Sequence, residues 1–101
     1  MTHLPNVPAA FLFTNHLLVL VLIQADPMIR IRELSIVIGM TERSTQRIIN
    51  ELEVQSLLEV SREGRRNHYR VVVEREIELP SDDRVTLGQL LATLPLSSTR
   101  R

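Results

Sequence analysis

Residues 39–53 read GMTERSTQRIINELE, and they determine the architecture because they form a turn followed by a helix with two different faces. Gly39 provides the left-handed backbone that ends one helix, and Thr41 is a favourable N-cap for the next. The pattern predicts a helix from Thr41 to about Gln55. The side chains spaced to form its buried face are Thr45, Ile48, Ile49 and Leu52.

The opposite face of this helix is polar. The side chains spaced to form this single stripe are Glu42, Arg43, Gln46, Arg47 and Asn50. Arginine binds guanine through two hydrogen bonds, and glutamine or asparagine binds adenine in the same way. Thr41, Ser44 and the first-turn amides are candidates for phosphate contacts. The alternative is a solvated face on which the two arginines pair with Glu42 or Glu51.

Two helices are predicted before the turn. Residues 9–25 are apolar except for Gln24 and a polar cluster at 14–16, and a helix without a polar face is buried on more than one side. We expect a second subunit to cover part of this helix. Residues 19–23 also suit a strand, and periodicity alone leaves that alternative open. Asp26-Pro27 ends the element, and residues 31–38 are predicted to form a short second helix.

After the long helix, the sequence takes on the period of β-strands. Residues 58–62 and 67–73 are strand candidates, joined by a turn at residues 63–66. Residues 61–70 contain four arginines and one glutamate, and such a hairpin can follow a phosphate backbone or insert arginine into a narrow minor groove. The alternative is a solvated turn. The candidate contacts here are Arg65, Arg66 and Asn67.

The last part of the chain begins with an acidic segment, residues 74–83, which contains five carboxylates and one arginine. Residues 85–94 are predicted to form a final helix. Its leucine stripe packs on its own subunit or on a partner's first helix, and we favour the partner.

The order of elements predicts a mainly α protein with a small β-hairpin (α+β). This is the order of a winged helix-turn-helix, with an N-terminal and a C-terminal helix flanking the core. We divide the chain into an irregular N-terminal arm at 1–8, a DNA-binding domain at 9–79, and a C-terminal helix and tail at 80–101 for dimerisation.

Composition excludes several classes of function. The 101 residues include 12 Arg, 12 acidic residues and no Cys, so the net charge is zero and disulfides and thiol zinc sites are excluded. With zero net charge, any nucleic-acid contact needs a local basic surface. The three histidines lie far apart in the sequence, so we expect no metal site. No nucleophile has a neighbouring base, so we expect that the protein has no cofactor and is not an enzyme. The apolar run at 17–23 is too short to cross a bilayer, and without a signal peptide we expect a cytoplasmic protein.

Residues 39–53 resemble the recognition-helix region of small winged helix-turn-helix transcriptional regulators of the MarR-like/ArsR-like group. Residues 64–71, GRRNHYRV, resemble the wing of these proteins, and residues 13–18 and 87–91 are similar to their flanking helices. The resemblance covers roughly residues 7–94. It implies a homodimer on double-stranded DNA with its recognition helices in successive major grooves.

The chain departs from the family pattern at three positions. Ser56 stands where glycine usually follows the recognition helix, Ile36 where a polar residue is usual, and Arg30 where a Ser or Thr N-cap is expected. We therefore expect a helix end at Ser56 that is strained or differently shaped, and an exposed Ile36 that serves an interface.

The sequence hypothesis is a homodimeric, sequence-specific DNA-binding transcriptional regulator. Its recognition helix at about 41–55 enters the major groove, and its wing at 62–70 contacts the backbone or the minor groove. A small-molecule effector at the dimer interface is a further possibility. The alternative is a winged-helix module that binds protein and not DNA.

Overall fold

The computed structural model describes residues 15–93 and the backbone of residues 7–8. The helices are α1 (Asn15–Ala25), α2 (Ile31–Ile38), α3 (Glu42–Val54) and α4 (Leu87–Ala92). The strands are β1 (Val7–Pro8), β2 (Leu58–Glu63), β3 (Arg66–Val71), β4 (Glu76–Glu78) and β5 (Arg84–Thr86). The chain is therefore a small α+β domain in which three helices precede β-hairpins and a short C-terminal helix, which confirms the predicted class.

Helices α1, α2 and α3 share one apolar core. Residues 19–23 are helical, so the strand alternative for this stretch is wrong. The Nε2 atom of His16 on α1 lies 2.7 Å from Oε1 of Glu51 on α3 and joins the two helices. The predicted buried face of α3 is confirmed, and its members are Thr45, Ile48, Ile49 and Leu52. None of the helices within residues 15–93 is long and apolar enough to cross a membrane.

The turn between α2 and α3 forms as predicted. Gly39 has φ of 84°, and the amides of Gly39 and Met40 both donate to the carbonyl of Ser35, at 2.8 and 3.0 Å. Thr41 caps α3, because its Oγ1 accepts a hydrogen bond from the amide of Ser44 at 3.0 Å. These caps fix where α3 begins and therefore which of its residues lie on the exposed face of its first two turns.

Strands β2 and β3 form an antiparallel hairpin in which Glu63 pairs with Arg66. Gly64 and Arg65 alone therefore form the loop. Gly64 has φ of 63° whereas Arg65 has a negative φ, which matches a type II′ turn with glycine at its first central position. The predicted hairpin is confirmed, and β3 ends at Val71, two residues before the predicted end at residue 73.

A second, three-stranded sheet was not predicted. Its strand order is β1-β4-β5, with β1 parallel to β4 and β4 antiparallel to β5. Within the acidic segment, Ile77 is fully buried and pairs with Val85. The expectation of an irregular arm is wrong for residues 7–8, which form β1. Residues 1–6 and 9–14, with the predicted start of the first helix, lie outside the described residues.

Helix α4 is shorter than the predicted helix at 85–94. Thr86 is its N-cap, with Oγ1 accepting from the amide of Gln89 at 3.1 Å, and residues 84–86 form β5. Leu87 and Leu91 are buried in the chain's own core, which corrects our preference for a partner's helix at these two positions. Residues 94–101 lie outside the described residues.

Candidate nucleic-acid interface

The polar face of α3 is exposed to solvent. Arg43 and Arg47 are both exposed, and neither pairs with a carboxylate within residues 15–93. Glu51, one of their candidate partners, lies beside His16 instead. The ion pairs that the alternative includes are therefore absent from this face among the described residues. The side chains that line its open surface are Arg43, Ser44, Gln46, Arg47 and Asn50.

Two amide side chains on this face are joined to each other. Nε2 of Gln46 donates to Oδ1 of Asn50 at 2.9 Å, across one helical turn. Both residues are exposed, so Oε1 of Gln46 and Nδ2 of Asn50 face solvent as an acceptor and a donor. An adenine edge in the major groove offers a complementary donor and acceptor. The joined pair therefore has the groups that adenine recognition needs.

The predicted phosphate contacts at the start of α3 are only partly available. The amide of Ser44 already donates to Oγ1 of Thr41, so this first-turn amide is committed to the cap. Glu42 is exposed in the same turn, and its carboxylate disfavours an anion there. The candidates that remain at this end of α3 are the amides of Glu42 and Arg43 and the hydroxyl groups of Thr41 and Ser44.

The charge of the hairpin is smaller than its arginine count indicates. Nε of Arg70 lies 2.9 Å from Oε1 of Glu59 on the paired strand, and its Nη2 lies 3.8 Å from Glu74. The hydrogen bond and the charge of Arg70 lower the pKa of the Glu59 carboxyl. Arg62 and Arg65 are exposed and have no carboxylate partner in the described part of the chain. The uncompensated charge therefore lies towards the hairpin tip.

The hairpin is anchored to the segment that connects α1 and α2. The amide of Tyr69 donates to the carbonyl of Pro27 at 2.8 Å, and the guanidinium of Arg66 donates to the carbonyl of Met28. Asn67 is half-buried, with Nδ2 3.4 Å from the hydroxyl of the buried Tyr69. Arg66 and Asn67 are therefore structural residues as well as candidate contacts, whereas Arg65 is not held in this way.

One groove connects the hairpin to α3. It lies between the hairpin, the start of α2 and α3, and Gln46 lines both this groove and the open face of α3. The helix stripe and the hairpin tip therefore form one continuous surface.

Two arginines of this groove, Arg30 and Arg62, were absent from the predicted contacts. The sequence placed Arg30 only at a helix cap, and its nearness to the hairpin depends on contacts about 38 residues apart in the chain. Arg62 was counted in the hairpin charge, and its position on the same face of β2 as Leu58 and Val60 was the available signal.

In residues 15–93, no three His, Asp or Glu side chains come together as a metal-binding group. No protein-family model, curated protein or solved structure matches the chain. Its function is therefore inferred from the chemistry of the surface formed by α3 and the β2–β3 hairpin.

Proposed function

We propose that this protein is a DNA-binding protein of the winged helix-turn-helix class, with α3 as its recognition helix and the β2–β3 hairpin as its wing. More specifically, we propose a sequence-specific transcriptional regulator that acts as a homodimer. The order of α1, α2, the Gly39 turn, α3 and the hairpin supports this class, as does the resemblance to MarR-like and ArsR-like regulators.

The observation that carries the proposal is that α3 and the hairpin tip form one continuous surface whose exposed arginines have no carboxylate partners among the described residues. Arg43 and Arg47 on α3 and Arg65 at the hairpin tip are exposed and unpaired among the described residues. A helix of this kind fits the major groove and reads base edges with arginine and amide side chains. Arginines on a hairpin beside it hold phosphates or enter the minor groove.

The site and its recognition sequence are tested together by selecting bound sequences from a random duplex pool. We expect a palindrome with half-sites about 10 bp apart, because a two-fold dimer places its recognition helices one DNA turn apart. Failure to enrich any sequence over the input pool would contradict sequence-specific binding.

The roles of α3 and the hairpin are separated by two variants titrated against the selected duplex and a scrambled one. Arg47→Ala is expected to weaken binding to the selected duplex by about 1–3 kcal/mol and to leave the scrambled duplex less affected. Arg65→Ala is expected to weaken both equally and to reduce the salt slope by about one.

Arg84→Ala is the matched control for these titrations, because it removes the same charge and lines neither the α3 face nor the groove. If Arg47→Ala and Arg65→Ala both bind like Arg84→Ala at two salt concentrations, the assignment of the interface is wrong.

Exposed apolar side chains on α2 favour a second candidate function, a winged-helix module that binds protein. Ile36 and Val37 are 68% and 63% exposed, and Ile36 is one of the departures from the family pattern. This alternative predicts no binding to random duplex at low salt and one stoichiometric protein partner in a pulldown. Ile36→Ser would then abolish the protein complex, whereas the DNA-binding proposal expects Ile36→Ser to leave duplex affinity unchanged.

A further inference from the structure

The groove between the hairpin and α2 has a lining that a surface for DNA contact alone does not require. It encloses about 330 Å³. Part of its lining is apolar and comes from Met28, Ile29, Ile31 and Tyr69. The polar part consists of Arg30, Gln46, Arg62, Arg65, Arg66 and Asn67.

Four guanidinium groups line this groove, and no carboxylate of the described residues does. Arg30, Arg62 and Arg65 form no ion pair within residues 15–93. Four like charges around one groove repel each other unless an anion lies between them. The planar N–H fork of arginine matches the oxygens of a phosphoryl group, which makes phosphate the anion that this set of donors binds best.

The walls of the groove are held in place by backbone contacts. The bonds from Arg66 to the Met28 carbonyl and from Tyr69 to the Pro27 carbonyl fix the hairpin against the residues before α2. Arg66 uses part of its five N–H donors in this contact and keeps the others for a ligand. A groove that is formed in advance loses less entropy when a ligand binds.

The volume of the groove indicates more than a single phosphate. About 330 Å³ lies at the lower end of small-molecule pockets, which span about 300–1,000 Å³. The apolar side chains offer a surface to a ring or another carbon-rich group. The lining therefore fits a phosphoryl group joined to an organic group of about nucleotide size.

We propose that this groove binds the phosphoryl group of a free, nucleotide-sized phosphate ester, and that this ligand competes with DNA. Competition follows because Gln46 lines both the groove and the α3 face, while Arg65 and Arg66 are proposed DNA contacts. The competition rests on the proposed function, whereas binding of the free ester does not. The DNA backbone is the other source of the same phosphoryl chemistry.

The first experiment measures binding of adenosine monophosphate and inorganic phosphate to the full chain by titration calorimetry at constant ionic strength. Arg30→Gln and Arg62→Gln are each expected to weaken binding of adenosine monophosphate about tenfold or more, as loss of a charge-assisted hydrogen bond requires. Arg32→Gln is the matched control, since Arg32 is exposed on α2 and lies outside the groove. Equal melting temperatures show that the variants are folded.

The second experiment titrates the same variants with duplex DNA and adds adenosine monophosphate as competitor. Displacement of duplex that requires Arg30 and Arg62 supports the free ester as ligand. If adenosine monophosphate does not bind, the proposal of a free ligand that competes with DNA is overturned. If Arg30→Gln nevertheless weakens duplex binding and Arg32→Gln does not, the phosphoryl site of the groove belongs to the DNA backbone. If Arg30→Gln and Arg62→Gln bind adenosine monophosphate and duplex as tightly as Arg32→Gln does, the groove is not a phosphoryl site.

The two experiments distinguish an error in the groove proposal from an error in the proposed function. Adenosine monophosphate that binds through Arg30 to a chain that binds no duplex supports the groove and defeats the proposed regulator. If Arg47→Ala weakens duplex binding, and neither duplex nor adenosine monophosphate depends on Arg30 or Arg62 for binding, the result supports the regulator and contradicts the groove.

Discussion

Ser56, immediately after α3, has φ of 61°, in the left-handed region that costs a residue with a side chain about 1–2 kcal/mol. Its amide donates to the carbonyl of Glu53 and the amide of Leu57 donates to that of Leu52, which together form a Schellman motif. The motif needs this backbone conformation, and glycine adopts it without strain. The expected strain at this helix end is therefore confirmed.

Replacing Ser56 with glycine is expected to stabilise the fold. Relief of the left-handed backbone exceeds the extra unfolded-chain entropy of glycine, and we expect a gain of about 0.5–1 kcal/mol in the free energy of unfolding. Urea and thermal denaturation measure it. Ser61→Gly, at a negative φ in β2, is the control and is expected to lower stability. A Ser56→Gly protein as destabilised as Ser61→Gly would show that φ at Ser56 is not strained.

The residues of the α3 face were predicted from their spacing, but their pairing was not. Spacing alone allows Arg43 and Arg47 to form ion pairs with Glu42 or Glu51. Only the packing of α1 on α3 shows that Glu51 is hydrogen-bonded to His16. The bond between Gln46 and Asn50 is likewise one of several that the four-residue spacing permits. Side-chain partners depend on the three-dimensional surroundings that a one-dimensional pattern lacks.

Among the secondary-structure elements, the β2–β3 hairpin depends on the bond from Arg66 to the carbonyl of Met28. Arg66→Ala is expected to lower the free energy of unfolding by about 0.5–1.5 kcal/mol, because a half-buried carbonyl loses its donor. Arg65→Ala is expected to change it by less than about 0.5 kcal/mol, since Arg65 is exposed at the loop.

Chemical denaturation of the two variants tests this difference, and it decides which one is suited to DNA measurements. If Arg65→Ala is destabilised as much as Arg66→Ala, the bond from Arg66 to Met28 is not what anchors the hairpin. With the expected result, Arg65→Ala reports on DNA contact alone, whereas Arg66→Ala also loosens the hairpin.

The helices and the first hairpin were predictable because their patterns extend over many neighbouring residues. The sheet of β1, β4 and β5 was not, because its strands have two or three residues and β1 pairs with β4 across 70 positions of sequence. A burial pattern with one buried position, as in β4, is too short to distinguish from a polar loop. Long-range pairing of short strands is specified by the completed core, in which Ile77 is fully buried.

Across the molecule as a whole, zero net charge conceals an uneven distribution. Arginines without carboxylate partners among the described residues lie on α3, at the start of α2 and at the hairpin tip, whereas residues 74–83 contain five carboxylates and one arginine. Arg75 donates from Nε to the carbonyl of Gln55 at 3.0 Å and so contributes its charge to the C-terminal end of α3. A local basic surface on a neutral protein favours short-range contact over long-range attraction to nucleic acid.

A two-dimensional NMR titration of the isotope-labelled full chain with its selected duplex maps the proposed DNA interface residue by residue. We expect the largest shifts and line broadening on residues 41–50 and 62–67, with the Arg47 and Arg65 side chains among them, while residues 74–83 change little. Shifts centred on Ile36 and Val37 or on the acidic segment, or no shifts at all at low salt, would show that α3 and the hairpin do not bind DNA.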